Sequence, residues 1–568
     1  MASPRSRTPV TGGTALCAGL GAEGDGFTLP LSPTPRTVCS ATAPDAGMTF
    51  VRPRTAGESG VGAPIGLDTV TEPDETGADL PEQMRVRREK YDRLMADPQR
   101  APFPVSVPRT ASLGEIRAAH PDLAAGTETG QFAGVTGRVI FVRNTGKLCF
   151  AMLREGDAEL QIMLSLDRIG GDQLAAWKAD VDLGDLVYVH GEIVSSKRGE
   201  LSVLADDFRV TAKALRPLPV AHKPLSDETR VRQRYVDLIV RPDARQMVYT
   251  RAAVLRSLRE TFERRGFVEV ETPILQSVHG GAAARPFHTH LNAFDQDMSL
   301  RIATELYLKR CIVGGIERVF EMGPVFRNEG VDSSHSPEYT LLEAYQAYGD
   351  YDTMAELTRE LVLRAADAVG VETPETVDGE PIDLRGQWRS ASIHELVSEA
   401  LGEPVTADTG VDALSAHAER AGVGLKPDWD EGEIVLELFE KLVEHTLIQP
   451  TFVRDYPVSV RPLARPHRDD PRLAEAWDLV ISGVEAGVAY SELVDPVEQR
   501  RRLVAQSLAA AQGDPEAMQL DEDFLRALEY GMPPTGGMGL GVDRLIMILT
   551  GRGIRETILF PLLKPLDL

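Results

Sequence analysis

The chain has 568 residues, 61 of them basic and 86 acidic, for a formal net charge of −25. That length leaves room for roughly three to four domains, and the acidic balance excludes a uniformly basic surface, so any nucleic-acid contact must rest on locally concentrated positive charge. Cys17, Cys39, Cys149 and Cys311 lack metal-ligand or disulfide spacing and suit a reducing cytoplasm, and no apolar run approaches the ~18 residues of a membrane span.

Residues 1–75 are rich in Gly, Pro, Ser, Thr and Ala without apolar periodicity, which predicts disorder. The weak apolar stretch at 15–20 sits too late for a signal peptide. Within 76–131, the segment 82–95 reads as a helix in which Arg85, Arg87, Arg88, Lys90 and Arg93 outnumber Glu89 and Asp92, which makes it either a local basic patch or a solvated charged face. Between 132 and 225 come five short alternating runs, GVTGRVIFVR, LCFAML, ELQIML, LVYVHGEIV and ELSVLADDFRV, with a helical insert near Trp177. Five strands at this spacing predict a small closed barrel of the OB type, a fold that binds single-stranded nucleic acid by stacking and a basic groove.

A larger unit is expected over 226–568. Residues 252–265 form a helix with Leu255, Leu258 and Phe262 on one face, stopped at Gly266, and a strand over 267–270 runs into Pro273. Residues 317–351 predict a hairpin around a Gly/Ser/Asp-rich loop. On its second strand Tyr339, Leu341, Glu343 and Tyr345 share a face, because side chains alternate, and Arg327 ends the first strand with a planar fork suited to phosphate or carboxylate. A largely helical insert without visible chemistry is expected over about 352–449. Asp478 and Glu485 flank a turn at Ser482-Gly483. That puts Val480 opposite Glu485 and makes Asp478 a diagonal neighbour, about 7 to 8 Å away at the backbone, near enough for two carboxylates to share hard cations. Residues 535–561 read as a glycine-rich strand and then a helix whose buried stripe is Leu545, Ile548 and Leu549, with Arg544 in its first turn where a polyphosphate would be favoured.

The three segments 252–275, 317–351 and 535–561, in this order, resemble motifs 1, 2 and 3 of the class II aminoacyl-tRNA synthetases. GGAAARPF (280–287), LRIATELYLKR (300–310) and VAYSEL (488–493) are similar to the lysyl branch of that family. The resemblance runs from about residue 80 to the C-terminus. It implies an α+β chain: an N-terminal five-stranded OB-fold barrel for the anticodon, then a class II catalytic domain of antiparallel sheet flanked by helices. It also implies lysyl-adenylate formation from lysine and ATP, with Mg²⁺ on Asp478 and Glu485 bridging the phosphates, and transfer to tRNA(Lys). The same resemblance assigns Arg327 and Arg544 to catalysis, and Glu329, His335 and Tyr339 with them to ATP. It assigns Glu305 to the lysine α-ammonium, Glu343, Tyr345 and Glu492 to the ε-ammonium, and Phe150, Arg138, Gln161 and Glu200 to the anticodon. Motif 1 implies a symmetric homodimer; no membrane contact is implied.

Two local features complicate the pattern. Val488, Tyr490 and Glu492 share one face while Glu485 has the opposite parity, so a β-bulge near Gly487 is expected to bring all four to the pocket. The chain also departs from the family: Thr304 replaces a proline and is expected to cap the next helix, Tyr339 replaces a phenylalanine, Pro324, Val325 and Ser336 alter the motif 2 loop, and Val488 stands beside the amino acid where Asn or Thr is usual. Three readings stay open: a working lysyl enzyme, a paralogue that activates another cationic amino acid or resists an inhibitor, and a non-catalytic binding protein on the same fold.

Overall fold

The computed structural model describes residues 81–219, 225–513 and 516–565. The disorder expected for 1–75 and the surroundings of Cys17 and Cys39 lie outside the described residues. Alternating apolar residues build the first sheet: β1 (Glu128–Asn144), β2 (Leu148–Glu155), β3 (Ala158–Ser165), β4 (Leu186–Ser195) and β5 (Leu201–Ala212) close into a barrel in the order β1-β2-β3-β5-β4. Its interior holds Val135, Val139, Leu153, Leu160, Ile162, Val187, Val189 and Val203. Trp177, in the helix Gly171–Asp180, packs edge-on against Phe208 at 5.1 Å.

The helix Glu82–Met95 forms as expected, yet its basic residues are largely spent on the barrel. Arg87 donates to the carbonyls of Ala214 and Leu183 at 2.8 Å, Lys90 lies 2.6 Å from Asp182, and Arg93 lies 2.8 Å from Asp180. Acids and carbonyls at the barrel's end therefore take up much of the charge that could have met a polyanion.

The remaining strands are β6 (Val268–Glu269), β7 (Leu275–Gln276), β8 (His288–Leu291), β9 (Gln296–Leu300), β10 (Arg318–Phe326), β11 (Glu338–Ala347), β12 (Arg389–Ser392), β13 (Thr451–Pro457), β14 (Leu473–Ile481), β15 (Val484–Ser491) and β16 (Thr535–Gly541). Eight of them make one sheet, β12-β13-β14-β15-β16-β11-β10-β6, antiparallel except for the pairs at its two edges, and β7-β9-β8 make a small second sheet. The strand expected over 267–270 shrinks to two residues, since Phe267 turns into the core against Phe262.

The helices Pro242–Arg264 and Tyr351–Val369 cover one face of the sheet, burying Leu258, Phe262, Met354, Leu361 and Val362 with Leu545 and Leu549. The first of these therefore packs as foreseen, but residues 352–369 belong to the main core and not to an insert. The helices Ile393–Leu401, Val411–Ala421 and Glu431–Leu442 form a separate cluster over Val453, Tyr456, Ala476 and Val480. Among the described residues no helix is long and apolar enough to cross a membrane.

Phe262 stacks on Phe320 at 4.3 Å and meets Phe267 edge-on at 5.0 Å, which ties the long helix to β10. Phe262→Ala is expected to lower stability by about 3–5 kcal/mol, read as a lower denaturant midpoint for the catalytic-domain transition.

Candidate active site

The middle of the large sheet forms a trough of about 300 Å³, and its floor is β16. Gly539 stands between Glu343 of β11 and Val488 of β15, and Gly537 between Tyr345 and Tyr490. A Cβ on Gly537 would collide with Glu492 and the Tyr345 ring, so only glycine lets those two side chains meet over the strand. As the alternation predicted, Tyr339, Leu341, Glu343 and Tyr345 all line the cavity, together with Glu305, Arg327, Glu329, His335, Glu485, Val488, Tyr490, Glu492 and Arg544.

At one end sits a buried carboxylate group. Glu305 opens the helix Glu305–Val313 and lies one turn before Lys309, whose Nζ is 2.6 Å from Glu305 and 2.5 Å from Glu492; Lys309 itself is fully buried. Thr304 does not cap this helix. Its hydroxyl and backbone N–H donate to Glu343, at 2.8 and 3.3 Å, because the carboxylate lies closer to hand than the helix's own N–H groups. Burial first, and then Glu305, push Glu343 up to about 7. Burial also raises Glu305 and Glu492, while the two acids together hold Lys309 protonated. Two of the three acids thus share Lys309 and the third, Glu343, is held only by Thr304, a deficit that a cationic ligand would fill. Lys309 was not singled out in the sequence, and its i, i+4 spacing from Glu305 was the available signal; Thr304 was singled out there, but as a helix cap.

At the other end the guanidinium of Arg327 lies 5.6 Å over the Tyr339 ring. Arg544 donates to the Glu485 carbonyl at 2.7 Å and approaches His335 Nε2 at 3.3 Å. The three motifs are tied together beneath this end: Arg251 of the long helix pairs with buried Asp543 and donates to Thr340 at 2.9 Å, and the Thr340 N–H donates to Asp543 at 2.7 Å. Glu329 is exposed at the rim.

The turn between β14 and β15 has positive φ at both Ser482 and Gly483, the twist-matched form that a two-residue hairpin favours. Val480 faces Glu485 as expected, and the register then slips at Ala486, so that Asp478 faces Val488 and Leu479 faces Gly487. That bulge puts Glu485 on the same face as Val488 and Tyr490. Asp478 is 2.6 Å from Arg461 through one oxygen, while Oδ1 is buried without a hydrogen-bond partner. The helical segment 431–448 packs against this turn. Its end anchors the turn through Leu447 and Ile448 carbonyls, and Glu444 is pushed up to about 7 by burial, Glu485, Glu440 and Asp478. Among the described residues no three His, Cys, Asp or Glu side chains converge as a complete metal cage. Two acids, one with an orphaned oxygen, do suit Mg²⁺, which takes one or two carboxylates and completes its shell with phosphates and water.

On the barrel, Phe150, Met152 and Arg154 of β2 point outward beside Gln161 of β3, and Glu200 lies just before β5, paired with Arg117 at 3.3 Å. Arg138 lies on the same face at the Arg154 end of this group, away from Phe150. It pairs in register with Arg154 and donates to the Gly184 carbonyl at 2.7 Å, at the end nearer the large domain. The residue directly across from Phe150 is Arg143, exposed, with Phe141 (53 % exposed) nearby on the same face. Counting the register from Phe150 would have found it.

A model of the class II tRNA synthetases (D, K and N) matches residues 226–564, and one of the OB-fold nucleic acid binding domain matches 134–211. The chain belongs to the class II tRNA synthetases. Among relatives of this synthetase, the lysine–tRNA ligase of Kineococcus radiotolerans is 59% identical over 496 residues, 87% of this chain and 99% of that protein. That of Mycolicibacterium gilvum is 58% identical over 499 residues, with the same coverage. The lysylphosphatidylglycerol biosynthesis bifunctional protein LysX of Mycobacterium marinum is 52% identical over 492 residues, 86% of this chain but 44% of that longer protein.

The carboxylate end has a pH signature. Glu343 is raised in the free protein, and an ammonium ligand needs it ionised, so each fall in pH below its pKa adds a proton that the ligand must expel. With a value of about 7, the KM for lysine is expected to rise about tenfold from pH 8 to pH 6, measured at saturating ATP; a flat KM across that window would contradict the assignment.

Proposed function

We propose that this chain is a lysine–tRNA ligase: it activates L-lysine with ATP to lysyl-adenylate and pyrophosphate, then transfers the lysyl group to the 3′ end of tRNA(Lys). The observation that carries the choice of amino acid is the buried set of Glu305, Glu343 and Glu492, of which only Glu305 and Glu492 are paired, both to Lys309. Lysine brings two ammonium groups to that deficit, whereas a neutral amino acid would leave buried charge uncompensated.

In this reading Glu305 takes the α-ammonium; Glu343, Tyr345 and Glu492 take the ε-ammonium, and Val488 and Tyr490 wall the chamber. Tyr339 offers its ring to the adenine, with Glu329 near the base's amino group. Arg327, Arg544 and His335 meet the phosphates. The lysine carboxylate attacks the α-phosphorus and pyrophosphate departs. Arg327 holds the two reactants together and neutralises the negative charge that develops on the phosphate oxygens, so positioning and electrostatics supply the rate. Asp478 Oδ1 and the Glu485 carboxylate would hold Mg²⁺, which when bound offsets polyphosphate charge.

The outward face bearing Arg143, Phe150, Gln161 and Glu200 would meet the anticodon, Phe150 by stacking and the polar residues at base edges. Exposed Tyr235, Val248, Tyr249, Val268, Ile274 and Leu275 in and around motif 1 support a symmetric homodimer. A cytoplasmic location completes the reading, since ATP, tRNA and free thiols such as Cys149 and Cys311 coexist there.

The test is ATP/pyrophosphate exchange across the cationic amino acids, followed by charging. Lysine is expected to drive exchange, and tRNA with a UUU or CUU anticodon to be charged; exchange driven by another amino acid alone would replace this reading. A second expectation concerns Val488, which faces Asp478 and can donate no hydrogen bond. Val488→Thr is expected to lower the lysine KM roughly tenfold, the worth of a hydrogen bond to a charged group, with kcat little changed. An unchanged KM would place the side chain outside the substrate contacts.

A further inference from the structure

Asp478 already has a cation. Arg461 follows the short helical turn Val458–Val460 and reaches the cavity wall, where its Nη2 is 2.6 Å from Asp478 Oδ2 and its guanidinium lies 4.0 Å from the Tyr456 ring centroid. The side chains are 16 % and 8 % exposed for Arg461 and Asp478. Tyr456, Tyr490 and Glu485 are the pair's nearest polar neighbours. On the neighbouring strands Asp478 faces Val453 and Val488, neither of which can pair with it, and Glu485 is met by Arg544. Arg461 Nε and Asp478 Oδ1 are both buried without a hydrogen-bond partner, so each group keeps one unused valence beside the cavity. A guanidinium stays charged at every working pH and, stacked on an aromatic ring, has little freedom to leave.

We propose that Arg461 is a resident cation of the metal site: it holds one oxygen of Asp478, leaves Oδ1 and the Glu485 carboxylate to the divalent ion, and so moderates how tightly that ion binds before ATP arrives. Without it, Asp478 would present a full, unpaired negative charge to a divalent cation beside Glu485, which Arg544 already approaches. With it, the net negative charge is smaller by one, and part of the positive charge facing the polyphosphate belongs permanently to the protein. Arg461 acts through Asp478 as a positioning residue, and this inference rests on the reading of Asp478 and Glu485 as the cation pair.

The test is Mn²⁺ binding to the full chain, followed by the electron paramagnetic resonance of free Mn²⁺, without nucleotide and then with a non-hydrolysable ATP analogue. Arg461→Gln is expected to tighten nucleotide-free Mn²⁺ binding about tenfold, as the loss of one neighbouring positive charge would, while Arg461→Lys stays near the parent. Unchanged or weaker Mn²⁺ binding in Arg461→Gln, or an effect confined to the lysine KM, would overturn the proposal. Should Arg461→Gln fail to fold, Asp478→Asn and Glu485→Gln are compared with Arg461 intact. The proposal expects the smaller loss of Mn²⁺ affinity from Asp478→Asn, and equal losses overturn it. If Glu485→Gln leaves Mn²⁺ binding untouched, the cation-pair reading falls and the proposal with it; if that variant loses Mn²⁺ while Arg461→Gln changes nothing, only the proposal falls.

Discussion

Buried negative charge is the constraint around which this molecule is arranged. Glu305, Glu343 and Glu492 are buried in the wall of one cavity, and Asp478 is buried behind it against the wall residue Arg461, where an unpaired carboxylate costs several kcal/mol. Two resident cations meet them, Lys309 at the amino-acid end and Arg461 at the phosphate end. Lys309 cannot neutralise three glutamates, and Asp478 keeps one oxygen without a partner. The protein alone is therefore an incomplete electrostatic object, and its missing partners are cationic: ammonium groups at one end and a divalent ion at the other.

The sheet makes this arrangement reachable. Glycines at 537 and 539 let side chains from β11 and β15 converge over β16, and the slip at Ala486 turns Glu485 to the same face as Val488. Outside the cavity, the Arg251–Asp543–Thr340 knot couples the long helix, the hairpin and the final helix, so that the geometry of the site follows from the packing of the core.

Much of this was legible in the residues. Alternation placed Tyr339, Leu341, Glu343 and Tyr345 on one face, the Ser482-Gly483 turn fixed the Val480–Glu485 pairing, and the opposite parity of Glu485 and Glu492, set against the family resemblance that wants both in the pocket, called for a bulge near Gly487. What escaped was long-range. Arg461 meets Asp478 across 17 residues, and Thr304 meets Glu343 across 39; no local period encodes such pairs. Thr304 was expected to cap a helix because propensity speaks only of neighbours, and tertiary contact took its hydroxyl instead. Arg138 was chosen over Arg143 for want of the β1–β2 register, and the basic helix 82–95 looked available because the acids that receive it, Asp180 and Asp182, lie some 90 residues on.

The central claim is that the amino-acid chamber is short of positive charge and holds a proton in its place. Calorimetry of lysine binding in buffers of different ionisation enthalpy reads that proton directly. The account predicts net proton release on binding, larger at pH 6.5 than at pH 8.5, because burial and neighbouring acids raise Glu343 to about 7. Binding that exchanges no proton with the buffer at either pH would contradict it.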